Sequence, residues 1–495
     1  MRTNCVTRRD FLKISGAGLA AGGLAALTKG AGRAAAAAKA RPRQGLGKPN
    51  IIFILADDLG YGDLGCYGQE RIKTPCLDRL AAEGVRFTDC YAGSTVCAPS
   101  RSCLMTGQHC GHTIVRGNGN VPLRPEDVTV AECLKRAGYA TALIGKWGLG
   151  EAGTTGIPTK QGFDTFFGYL NQRHAHNYYP AFLWRGEERV ALKNVVPGQG
   201  EFGKGVATEK AEYSHDLLVA EALKWVEARK AGPFFLYLAL TIPHANNEAG
   251  RAGMEVPDHG PYKDTDWPEP QKGHAAMITR MDGDVGRLMA RLKELGIDGK
   301  TLVIFSSDNG PHAEGGASPA FFGSAGPLTG MKRTLTEGGI RVPGIARWPG
   351  RIQPGSVSHH PWAFWDFLPT ACELAGVAPP KDIDGISFLP AMLAQPQKDH
   401  EFLYWEFHEG GSTQAVRMGK WKAIRPWPNG PMKLYDLSKD LAEKSDVAAE
   451  QPDVVKKVEA CLAAARTPSQ AWPMRERRPS GKAKKKAKAQ DTPRT

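Results

Sequence analysis

The chain of 495 residues contains no apolar run long enough to build a multi-span membrane protein. Its leader-like stretch, 14–27, has fourteen residues and is rich in Gly and Ala. A helix needs about 20 apolar residues to cross roughly 30 Å of hydrocarbon. There is no internal repeat, and none of the ten cysteines forms a CxxC pair, so a zinc site is not expected. Acidic residues are nearly missing from both ends. Residues 1–48 hold one acid against ten Lys/Arg, and 474–495 hold two against nine. The formal charge of +13 therefore belongs to the termini, leaving −3 for 49–473. That distribution removes the case for a nucleic-acid partner, which a basic total alone would suggest. Hydrophobic residues at 41% and charged residues at 23% exclude disorder throughout.

The ends read as signal and tail. Thr7-Arg8-Arg9-Asp10-Phe11-Leu12-Lys13, the stretch after it and the small residues near 34–40 resemble a bacterial twin-arginine export signal spanning 1–40. This predicts passage through a twin-arginine translocon to a periplasmic or extracellular location, after folding in the cytoplasm. Such a history disfavours an obligate disulfide framework, although six cysteines cluster in 66–110. The lysine-rich segment 473–495 reads as a disordered tail, solvated or in contact with a polyanion.

Between the ends, near-continuous apolar runs at Asn50–Ala56, 140–144, 233–240 and 301–305 read as strands buried on both faces. Helical patterns at 76–83, 130–137, 215–230 and 274–295 alternate with them. The alternation predicts an α/β fold with a doubly wound, mostly parallel sheet over 48–378. Residues 365–375 read as its last helix. Past Pro379-Pro380, strands at 401–407, 414–418 and 420–424, the last two a hairpin around Gly419, and a helix at 452–465 predict a smaller α+β subdomain over 379–472. Each long apolar run is followed by chemistry: Asp57-Asp58, Lys146, His244 and Asp308-Asn309. Ligands of open α/β sheets bind beyond the carboxyl ends of strands, so four such endings point to one site. The carboxylates and the Asn offer hard oxygen ligands suited to Ca²⁺ or Mg²⁺.

Cys97-Ala98-Pro99-Ser100-Arg101-Ser102-Cys103-Leu104-Met105-Thr106-Gly107 matches C-x-P-S-R-x-x-L-x-T-G at all seven fixed positions. Pro99 suits a first helical turn, placing residue 97 at a helix N-terminus that favours an anion, with Arg101 one turn on. An unmodified thiol there is a thiolate candidate. The motif resembles the signature of the type I, formylglycine-dependent sulfatases, arylsulfatase-like members of the alkaline phosphatase superfamily.

The resemblance implies sulfate-ester hydrolysis on an aryl or carbohydrate substrate. It also implies oxidation of Cys97 to formylglycine by a formylglycine-generating enzyme, and a divalent ion held by Asp57, Asp58, Asp308, Asn309 and residue 97. Lys146, His244 and Lys332 match the family's other active-site positions, with Arg101 beside them. One position departs: many sulfatases carry His two residues after this Lys, acting in breakdown of the covalent intermediate, and here it is Gly148. His174, His176 and His312 are candidates to face the substrate in its place. The loop 171–179 and the segment 405–417 offer aromatic and polar groups that suit sugars. A phosphomonoester or phosphodiester hydrolase of the same superfamily and a non-catalytic polyanion binder are the alternatives left open.

Overall fold

The computed structural model describes residues 47–476. The twin-arginine segment and the tail from 477 onward lie outside the described residues. Among the described residues, no helix is long and apolar enough to cross a membrane.

The main sheet is mixed and mostly parallel. Its strand order is Ser356–Ser358, Val85–Tyr91, Arg341–Arg347, Thr301–Ser307, Asn50–Ala56, Phe234–Ala239, Ala140–Lys146, Thr165–Tyr169, Phe182–Arg185, Glu188–Ala191. The five strands from Thr301–Ser307 to Thr165–Tyr169 run parallel to one another. The strands Val85–Tyr91 and Arg341–Arg347 pair antiparallel at one end, and a hairpin extends the other.

The strand Asn50–Ala56 shows why the apolar runs are continuous. Ile52, Ile54 and Ala56 enter one core, while Ile51, Phe53 and Leu55 enter another on the opposite face. Successive side chains of a strand point to opposite faces, so a strand covered on both sides needs no polar alternation. The first core is closed by helices Pro75–Ala82, Ser214–Ala228 and Glu269–Glu294. The second is closed by Cys97–Thr106, Val130–Arg136 and Phe367–Ala375.

Element ends differ from the sequence expectation where polar residues continue an element. Ser306 and Ser307 prolong the strand expected at 301–305, both fully buried. The long helix begins at Glu269, five residues before the apolar pattern. Pro270 stands in its first turn, where a missing N–H leaves no bond unmade.

The C-terminal sheet is an antiparallel meander of Leu403–Phe407, Thr413–Met418, Trp421–Arg425 and Lys433–Asp436, backed by helix Pro452–Ala464. Gly419 turns its central hairpin with φ +57°, as the sequence predicts. The sheet docks through Trp405, whose Nε1 donates to the Ala92 carbonyl at 2.9 Å. It also docks through a buried ionic knot. Lys422 Nζ lies 2.9 Å from Glu337 Oε1 and 3.3 Å from Glu443 Oε1, and Arg341 Nη1 lies 3.2 Å from Glu337 Oε2. Burial works to raise the Glu337 pKa, but Lys422, Arg341 and Arg417 override it and hold the carboxyl at about 2.

A carboxyl held that low adds stability above the ordinary carboxylate range, and this is lost as pH falls toward 2. Removing one partner of a buried pair leaves an uncompensated charge, which costs about 3–5 kcal/mol. Glu337→Ala should lower unfolding free energy by that amount in denaturant titrations at pH 7. The gap between variant and parent should shrink as pH drops below about 4.5.

Candidate active site

The strands that end in Asp308-Asn309, Asp57-Asp58, His244 and Lys146 are four consecutive neighbours in the sheet. Their endings therefore meet. Asp58 adopts φ +67°, a left-handed conformation uncommon outside glycine, and its N–H donates to Asp308 Oδ1 at 3.1 Å. Strain of this kind persists where surrounding contacts hold it. Here the next amide, Leu59 N–H, is fixed by Ser307 Oγ at 2.9 Å.

Residue 97 opens helix Cys97–Thr106. The first helical hydrogen bond runs from Ser100 N to Val96 O, so Pro99 forfeits nothing. Asn118 Oδ1 accepts the Ala98 N–H at 3.0 Å and caps the turn from outside the motif. All ten residues of the helix are buried, and Gly107 ends it with φ +71°. Cys97 Sγ donates to Asp57 Oδ1 at 3.3 Å. Burial, then the Asp308 and Asp57 carboxylates, push its thiol well above the ordinary value. The helix N-terminus alone suggests a thiolate; burial, together with the two carboxylates, reverses that expectation.

Asp57, Asp58, Asp308 and Asn309 are all at or below 1% exposure. Asn309 Nδ2 donates to Asp58 Oδ1 at 2.7 Å and to the Gly310 carbonyl at 2.9 Å, while its Oδ1 is buried without a partner. A buried carbonyl oxygen lacking a donor, beside three carboxylates, suits a hard cation. Ligand atoms of Asp57, Asp58, Cys97 and His244 lie within 4.8 Å of one another. Burial and the neighbouring Asp57 push Asp308 up to about 7. At Asp57, burial opposes ionisation, but the cations Lys146, Arg101 and Lys332 prevail and hold the carboxyl well below its usual range. The donor set therefore fits a divalent oxygen-seeking ion.

Cations frame these carboxylates. Lys146 Nζ donates to Asp57 Oδ2 at 2.6 Å, and Lys332 Nζ to Asp58 Oδ2 at 2.7 Å and Glu314 Oε2 at 3.1 Å. Arg101 spends its nitrogens on the surrounding frame. Its Nε and Nη2 grip Asp308 Oδ2 at 3.1 and 2.8 Å, and its Nη1 donates to the Lys146 carbonyl at 2.7 Å. His244 Nδ1 lies 2.7 Å from the Ala245 carbonyl, which fixes the proton there. Its Nε2 then accepts from Lys332 Nζ at 3.1 Å. Burial, then Lys332, hold His244 neutral, well below its ordinary pKa.

Above residue 97 opens a cleft of about 430 Å³ whose floor includes Cys97, Lys146, His244 and Lys332. Of the three histidines expected to face the substrate, only His176 lines it. It stacks on His244 with ring centroids 4.8 Å apart, and its Nδ1 lies 3.2 Å from Glu248 Oε2. The other two expectations are corrected. His174 is fully buried between the Tyr169 and Phe182 rings, where burial pushes its pKa down to about 3. His312 is also buried, with Nε2 2.9 Å from the Pro243 carbonyl and Nδ1 accepting the Glu314 N–H. It backs the site without entering the cleft. The aromatic groups expected to meet a sugar are likewise in the core: Trp405, Tyr178 and Tyr179 are buried. The walls instead carry amides and charges, among them Asn118, Asn120, Gln172, Glu151, Arg333 and Glu409. Glu314 and Glu409 have no local signal in the sequence, since only folding brings them to residue 97.

The sulfatase family profile matches residues 49–377, and the profile described as N-sulphoglucosamine sulphohydrolase, C-terminal, matches 330–467. The chain is 36% identical to N-acetylgalactosamine-6-sulfatase of Sus scrofa over 404 residues, covering 77% of this chain and 72% of that one. It is 35% identical to arylsulfatase A of Homo sapiens, covering 85% and 87%. Among solved structures it is similar to Ps i-CgsB in complex with k-i-k-neocarrahexaose, with a TM-score of 0.73 at 28% identity, covering 90% and 98%. These matches and the motif at the helix start agree: the chain belongs to the sulfatase family of the alkaline phosphatase superfamily, and is a hydrolase of sulfuric esters.

Proposed function

We propose that this sulfatase removes sulfate from a sulfated carbohydrate. The observation that carries this reading is the cleft: its floor is cationic and its walls are amides and charged groups suited to sugar hydroxyls. The likeness to a neighbour crystallised with an oligosaccharide supports it.

We assign Cys97 as the residue converted to formylglycine, and Ca²⁺ as the ion held by Asp57, Asp58, Asp308, Asn309 and residue 97. Mg²⁺ is the alternative that oxygen donors also accept. When present, the hydrated aldehyde supplies the nucleophile and the cation polarises sulfate oxygens. The rest falls to the chain. Lys146 and Lys332 face the cleft as ammonium groups and stabilise charge on the sulfate oxygens. Arg101 sits behind them, holding Asp308 in place. His244, with its proton fixed on Nδ1, holds Lys332 through Nε2. The proton for the departing alcohol therefore resides on Lys332 Nζ, with His244 as the group that aims it.

The twin-arginine sequence supports export to the periplasm or beyond, and residue 97 makes a formylglycine-generating enzyme a required partner. Matched aryl sulfate and aryl phosphate esters test the reaction. Sulfate release should exceed phosphate release by at least about tenfold in kcat/KM; faster phosphate release overturns the reading. A panel of defined sulfated oligosaccharides then tests the carbohydrate assignment.

A further inference from the structure

The cleft holds one amide whose two polar atoms both lack partners. Gln172 Nε2 and Oε1 are inaccessible to solvent and make no hydrogen bond, although the residue lines the cleft. Its neighbour is fully engaged: Asn171 Nδ2 donates to Glu151 Oε1, and Asn171 Oδ1 accepts the Arg173 N–H at 2.7 Å. That pairing fixes the turn that presents Gln172.

Gly148 makes room for it. This residue has φ +84°, and its N–H donates to the Leu170 carbonyl at 2.9 Å. A Cβ added at 148 would lie 2.0 Å from Gln172 Nε2 and 2.8 Å from its Cδ. The Gln172 amide thus occupies the volume that any side chain at 148 would take, two residues after Lys146. An amide is neither acid nor base at ordinary pH, so it does not replace a proton-transferring group. It brings instead a donor nitrogen and an acceptor oxygen, side by side.

We propose that Gln172, by a rotation of its side chain that uncovers the amide in the cleft, binds the substrate and selects sulfate esters that have a free hydroxyl on the adjacent carbon. Sulfate oxygens only accept hydrogen bonds, so they satisfy Nε2–H and leave Oε1 unpaired. A hydroxyl next to the ester carries the missing donor. Sulfate and hydroxyl together complete the amide, and a substrate lacking that hydroxyl leaves a buried acceptor unmade. The inference rests on the sulfate-ester reading of this cleft and names the chemistry beside the ester that it favours.

The test compares catechol monosulfate with its O-methyl ether, following released sulfate. The two differ in the hydroxyl beside the ester and little in leaving-group strength. The parent enzyme should favour the free hydroxyl by about tenfold in kcat/KM, the scale of one buried hydrogen bond and its loss. In Gln172→Leu the ratio should fall to about one. Gly148→Ala, whose methyl displaces the amide, should lose the preference as well. A parent enzyme without preference, or a Gln172→Leu enzyme that keeps it, overturns the proposal while leaving the sulfatase reading intact. If neither ester is cleaved, the sulfate-ester reading fails, and the proposal with it.

Discussion

Cys97→Ala should abolish sulfate release, lowering kcat by about a millionfold, the scale seen when a hydrolase loses its nucleophile. The reason is geometric as well as chemical. Residue 97 stands at the floor of the cleft, flanked by Lys146, His244 and Lys332. Nothing else there combines an attacking atom with that position. Its neighbours Lys146 and Lys332 are cations, and His244 Nε2 is engaged by Lys332. The substitution removes one sulfur and a single 3.3 Å contact to Asp57, so the melting temperature should move by only a few degrees. Full unfolding of the variant would show a structural role in place of a chemical one. Mass spectrometry of the parent peptide spanning 97 checks the same point independently. Protein from its own host should carry an aldehyde at this position, because the folded site raises the thiol's pKa and makes an unmodified Cys97 a poor nucleophile.

Removal of divalent ions is the second large effect. A cation polarising sulfate oxygens contributes several kcal/mol to the transition state, so exhaustive chelation should cost about a thousandfold in kcat/KM. Activity should return on adding Ca²⁺. Recovery with Mg²⁺ alone would assign the smaller ion, and full activity after chelation would remove the cation from the reaction. Chelation should also lower the melting temperature. Asp57, Asp58 and Asp308 are buried together, and the ion binds the folded state alone. Asn309→Ala provides a graded version: it deletes the buried Oδ1 that has no protein partner, so more Ca²⁺ should be needed for half-activity.

The sequence makes the floor of this site legible for a physical reason. Parallel strands buried on both faces are continuous apolar runs, and the residue after each run lands at one sheet edge. Asp57, Lys146 and Asp308 could be placed that way without knowing strand order. The helix start at residue 97 was legible too, since motif and proline agree. The walls were not. Gln172 matters because Gly148 leaves space, and Glu314 because it reaches Lys332; neither relation is a spacing in the chain. Arg101 shows the limit of local inference. One helical turn places it near residue 97, yet Asp308, 207 positions away, takes two of its nitrogens. The histidines failed for a similar reason. His174 and His176 differ by two residues, and only the packing of Tyr169 and Phe182 decides which one is sealed in the core.

The complete burial of helix Cys97–Thr106 sets a schedule for making the enzyme. Residue 97 is 2% exposed, and the nine residues after it are all buried. A small substrate can reach the side chain through the cleft, but a second protein cannot grip the surrounding backbone once the core has closed. Any enzyme that oxidises this cysteine must meet it while the segment is still an open strand of polypeptide. On the proposed twin-arginine export after folding, that leaves the interval between ribosome and translocon, inside the cytoplasm. On the proposed conversion of Cys97, a molecule that folds before it is modified is locked as a stable and inactive thiol form. The yield of working enzyme is accordingly a race between folding and oxidation, and speeding the closure of this helix would lower specific activity without altering one residue of the site.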